Sequence, residues 1–163
     1  MSAAPAATAP INPVTDLVLE RVVDVPPAKV WEAWTTPEIL KQWFSPAPWK
    51  IKSVELDLRP GGKFNNVMVS PEGQEFPNLG SVLEVVPGKK LVFTDTLLEG
   101  FRPSANPFMT AIVEIIPEGT GTRYRATALH KDEETRQKHE AMGFHHGWGA
   151  VLDQMVAFIQ NGK

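Results

Sequence analysis

Three groups of side chains could carry chemistry. Asp57 and Arg59 stand two apart, just ahead of Pro60-Gly61-Gly62, and period-two spacing puts both on one strand face. Such a pair can grip the polar head of a ligand, or cap the turn and hold strand register. Glu84 interrupts the apolar run Leu83-Glu84-Val85-Val86. An inward carboxyl there would hold its proton at raised pH and act as an acid; pairing with a neighbouring Lys or Arg is the alternative. His139, Glu140, His145 and His146 form the third group. His139 and His146 can share a helix face, but His139-Glu140-Ala141-Met142-Gly143 lacks the second His of the zinc-protease pattern. No metal and no cofactor is therefore expected. His145 or His146 belongs either to a ligand cavity or to a solvated helix surface. His130 closes a strand and is expected to be structural.

Other chemistries find no residues to run them. Gly119-Thr120-Gly121 lacks the Lys of a phosphate loop, and there is no G-x-S-x-G elbow. Ser45, Ser53, Ser70 and Ser81 fall into no evident Ser-His-Asp arrangement. Cysteine is absent, which removes disulfides, thiolate catalysis and iron–sulfur sites and suits a reducing cytosol. Lys and Arg number 16 against 19 Asp and Glu, for a net charge of −3. That balance lacks the basic excess of a nucleic-acid binder. No run approaches the roughly 18 apolar residues of a membrane span.

The elements that must position these groups read clearly. Residues 16–25 are a β-branched run ended by Pro26-Pro27. Residues 28–34 follow as a helix, with Val30, Trp31 and Trp34 on one face. Thr36-Pro37-Glu38 starts a second short helix that ends near Trp43-Phe44. From Trp49 the period becomes two, and residues 50–58, 63–70, 79–86, 91–97, 108–116 and 122–130 read as strands. Pro- and Gly-based turns join them, as expected for antiparallel neighbours. The 100–107 connection is longer and less regular. Beyond Asp132 one long helix is expected, its stripe formed by Trp148, Val151, Leu152, Met155, Phe158 and Ile159. Gly143, Gly147 and Gly149 mark a kink in it or a close approach.

A chain of 163 residues makes one domain and buries about 68–70% of its unfolded surface without a metal or disulfide. Residues 1–15, rich in Ala and Pro, read as a disordered tail and 16–163 as the single domain. The fold class is α+β: a curved antiparallel sheet, two short helices after its first strand, and a C-terminal helix as cover. Such a pairing leaves room for a ligand between sheet and helix.

Several segments carry a family resemblance. They are Val25-Pro26-Pro27-Ala28-Lys29-Val30-Trp31-Glu32-Ala33-Trp34-Thr35-Thr36-Pro37-Glu38, then Trp43-Phe44, Glu55 through Phe64 around Arg59-Pro60-Gly61-Gly62, Gly80 through Pro87, Leu91-Val92-Phe93-Thr94 and Gly147-Trp148. In this order they resemble the SRPBCC or START-like superfamily and its helix-grip fold. Within it, the chain resembles the branch named for the activator of heat shock protein 90 ATPase homologue, C-terminal-domain-like. The resemblance implies the fold; the superfamily's roles range from lipid carriers to cyclases, receptors and cochaperones. The eponymous cochaperone engages its chaperone through a separate N-terminal domain. Only some thirteen tail residues precede the domain here, so chaperone activation is not carried over.

The expected function is binding of a small hydrophobic or amphipathic molecule. Walls are expected from Trp43, Phe44, Phe64, Met68, Phe93 and Val113, with Trp148, Leu152 and Met155 from the helix. Asp57, Arg59, Glu84 and His145 are the polar candidates. A cyclase- or hydrolase-type enzyme using those acids and histidines is the second reading, and a protein-interaction module the third. A homodimer is left open.

Overall fold

The computed structural model describes residues 10–162, so residues 1–9 of the expected tail lie outside the described residues. The last part of the expected tail is tied back to Asn12. The Asn12 carbonyl accepts from the Thr15 and Asp16 backbone N–H groups, and its own N–H donates to Asp16 Oδ2.

Strand β1 (Asp16–Val23) leads to α1 (Pro27–Thr35) and α2 (Pro37–Trp43). Proline stands at the first turn of both helices, where its missing N–H costs nothing. Thr36 occupies the cap position of α2 but makes no side-chain cap bond. Strands β2 (Lys50–Leu56), β3 (Phe64–Val69) and β4 (Glu75–Asn78) form one antiparallel sheet. Strands β5 (Ser81–Val86), β6 (Lys90–Thr94), β9 (Thr110–Glu118) and β10 (Gly121–Leu129) join β1 in another, ordered β1-β10-β9-β6-β5. The irregular connection holds a two-residue ribbon, β7 (Leu97–Leu98) and β8 (Arg102–Pro103), around a 3-10 turn. The two larger sheets meet where the Phe64 N–H donates to the Gly80 carbonyl at 3.1 Å. No residue of β4 is buried and Pro77 interrupts it, so no hydrophobic alternation marks it as a strand; proline is tolerated there as on other edge strands.

Register explains the core. Leu17, Ala128, Ala111, Phe93 and Val82 lie opposite one another across the five-stranded sheet, and Leu19, Ala126, Val113 and Leu91 form the next row. All are buried. The central alanines leave room for the large helix side chains Trp34, Leu152 and Met155 of the same cluster. The opposite face carries a row of alternating charge, Glu20, Arg125, Glu114 and Lys90. Opposite charges on facing strands favour this register.

The expected single C-terminal helix is two. Helix α3 (Glu133–Ala141) starts at Asp132, whose carboxylate accepts from the Thr135 N–H at 2.8 Å. Helix α4 (Phe144–Gln160) begins after Gly143, at φ 95°. Glycine takes this left-handed conformation without a Cβ clash, so the chain turns there cheaply. Gly149 marks a close approach: a Cβ on it would lie 2.5 Å from Arg21 Nη2. Arg21 crosses α4 at that point to reach Asp153 at 2.8 Å. Among the described residues no helix is long and apolar enough to cross a membrane.

Candidate functional site: an aromatic cavity under the C-terminal helix

A cavity of about 360 Å³ lies between α4 and the junction of the two sheets. Phe64 from β3 and Phe93 from β6 stack across that junction, with centroids 4.1 Å apart and planes 11° from parallel. Trp34 of α1 packs 5.6 Å from Phe93 and 5.4 Å from Phe44, which closes the wall. Phe144, Trp148 and Val151 of α4 cover it, spaced by turns of one helix face. Leu79 and Met142 also line it and remain 53% and 74% exposed, leaving apolar side chains in water beside the opening.

Few polar groups interrupt this surface, and most are committed. Asn66 Oδ1 accepts from Asn78 Nδ2 at 3.0 Å. Thr94 is bonded to Thr96, Thr110 and the Met109 carbonyl. Asp95 Oδ1 accepts from the Phe108 and Met109 N–H groups at 2.8 and 3.0 Å. Burial pushes the Tyr124 phenol well above its usual range. The Trp34 indole N–H only partly offsets this, since it falls short of full hydrogen-bond geometry. His139 lies in the wall, 8% exposed, with Nδ1 2.8 Å from His130 Nε2. Burial first, and the neighbouring His130 second, hold His139 down at about 4. Among the described residues no Lys or Arg lines the cavity.

Of the side chains nominated from sequence, Phe44, Phe64, Met68, Phe93 and Trp148 come together here. Trp43, Val113, Leu152 and Met155 do not line the cavity; all are fully buried in solid core. The helix stripe divides: Phe144, Trp148 and Val151 face the cavity, whereas Leu152 and Met155 enter the packed core. Trp43 is fixed by its indole N–H donating to the Ala33 carbonyl, 3.2 Å away. Asp57 and Arg59 pair with each other at 2.7 Å in the exposed turn, outside the cavity. Glu84 is also outside, 3.0 Å from Lys90. A bulge between Val82 and Glu84 breaks the alternation and turns the carboxylate to the charged face. His145 and His146 are exposed, so the presumed histidine cluster is dispersed.

Trp34, Asn66, Asp95, Tyr124 and His139 are lining residues that sequence reasoning did not nominate. His139 had a signal. Helix α3 offers only Ala141 as an apolar residue, so whatever it turns inward must be mostly polar, and imidazole is the easiest of its side chains to bury uncharged.

The family model of the Activator of Hsp90 ATPase homolog 1-like protein matches residues 24–160. A crystallised protein from Nitrosomonas europaea is 45% identical, with a TM-score of 0.91 over 93% of this chain and 98% of that one. One from Chromobacterium violaceum is 25% identical, with a TM-score of 0.69 over 88% and 96%. A solution structure titled an AHSA1-like protein, from Aeromonas hydrophila, shares the fold at 20% identity and a TM-score of 0.69, over 90% and 93%. No curated protein is detectably similar. With the matched model spanning nearly all of the sheet and helices that enclose the cavity, the chain belongs to the Activator of Hsp90 ATPase homolog 1-like family.

Proposed function

We propose that the protein binds a small hydrophobic or amphipathic molecule in this cavity. The observation that carries the reading is a space of about 360 Å³ walled by stacked aromatic rings and opening beside exposed apolar side chains. Ligand sites are typically concave, largely apolar and about 300–1,000 Å³. At roughly 30 Å³ per water-sized group, this one takes about a dozen heavy atoms. The enzyme reading loses its nominated machinery, because Asp57, Glu84, His145 and His146 do not converge on the space.

Native mass spectrometry of freshly purified protein tests the proposal. The expected result is a complex retaining a small apolar molecule, lost on organic extraction and restored by an added one. Bare protein before and after incubation with apolar compounds of this size would contradict it.

A further inference from the structure

The His130–His139 pair leaves one nitrogen of His139 in a defined chemical state. His130 Nδ1 lies 2.8 Å from the Thr15 carbonyl oxygen. A carbonyl only accepts, so His130 Nδ1 carries the hydrogen. In an uncharged ring His130 Nε2 is then a lone pair, and it must accept from His139 at 2.8 Å. The hydrogen of His139 therefore sits on Nδ1. Its Nε2 is left as a bare acceptor, and among the described residues nothing donates to it. Neutral rings suit the setting: both histidines are 8% exposed, and Phe108 and Phe144 pack against His139 at 4.8 and 5.2 Å. Among the described residues no carboxylate pairs with either ring. Asp95, the carboxylate in the lining, is held by two backbone N–H groups.

We propose that His139 Nε2 is the polar anchor of the cavity, an acceptor for the O–H or N–H of an otherwise apolar, uncharged ligand. The inference rests on the cavity being the ligand site. A carboxylate has no hydrogen to offer Nε2 and would meet no Lys or Arg among the described lining residues. An ether of the same size would cover that acceptor and leave it unpaired, which is the costly outcome.

Three probes of nearly equal size decide it: 1-decanol, its isomer 1-methoxynonane, and decanoate, measured by calorimetric titration at pH 7.5. The wild type is expected to bind decanol about tenfold more tightly than the ether, and decanoate weakest. In His139→Phe the preference for decanol over ether should fall below about twofold, a comparison that cancels the probes' own hydration. Because that substitution also breaks the bond to His130, the wild type provides a second readout. Long-range ¹H–¹⁵N spectra distinguish bare from protonated ring nitrogens. They should show a bare His139 Nε2 whose resonance moves with decanol and not with the ether. Equal affinity for decanol and ether, preference for decanoate, or a protonated Nε2 in the free protein would overturn the anchor alone. Binding of none of the three would overturn the cavity reading and the anchor with it.

Discussion

His130 Nε2 lies 2.8 Å from His139 Nδ1, and the other nitrogen of His130 reaches the Thr15 carbonyl at 2.8 Å. One chain of hydrogen bonds thus ties the start of β1, the end of β10 and α3 together beside the cavity. Arg136 reinforces it, its Nε donating to the Val14 carbonyl at 3.1 Å.

This arrangement makes stability depend on pH. His139 is held near 4 in the fold, against 6.5 for a free imidazole. Between those values the unfolded chain takes up a proton that the native ring refuses. The contribution is fully present above pH 6.5 and is lost as pH falls towards 4, by up to about 3 kcal/mol. Urea melts at pH 7.5, 6 and 4.5 should show that loss, and a folded His139→Phe should show less of it. Parallel pH profiles for the two proteins would contradict the assignment.

Leu152 and Trp148 should respond differently to truncation. Leu152 is 1% exposed in the solid core, so Leu152→Ala should cost about 2–5 kcal/mol. Trp148 is half-buried and borders existing space, so Trp148→Ala should cost less than the ~3–5 kcal/mol of a fully buried tryptophan. It should also weaken probe binding. Leu152→Trp should overpack the core by about 1–3 kcal/mol rather than fill the cavity. Denaturant melts check all three.

Gly147 lies inside α4, and a Cβ there would meet nothing within 4 Å. Gly147→Ala should therefore stabilise the protein by about 0.5–1 kcal/mol through helix propensity alone. A loss of stability in thermal melts would mean that the space beside it is occupied.

The exposed Asp57–Arg59 pair should matter little. Arg59→Ala is expected to change stability by less than about 1 kcal/mol and leave ligand affinity unchanged. A tenfold loss of affinity would return the pair to the site.

The fold was legible because its signals are local: Pro27 and Pro37 open the helices, and alternation marks most of the strands. The site was less so. Phe64 and Met68 follow from alternation along β3, but Glu84 was misplaced by a bulge that no residue type announces. Sequence points to His145 or His146 as the cavity histidine, whereas His139, ahead of the turn at Gly143, enters the wall and His145 faces water.

The central claim is that the space beneath α4 takes a ligand, and filling it from Gly147 tests that most directly. An apolar fluorescent probe should bind the wild type with micromolar affinity, about 8 kcal/mol. Gly147→Phe, which projects a ring into the cavity, should keep the fold and abolish binding. A wild type that binds no probe, or a folded Gly147→Phe that binds it equally well, would contradict the account.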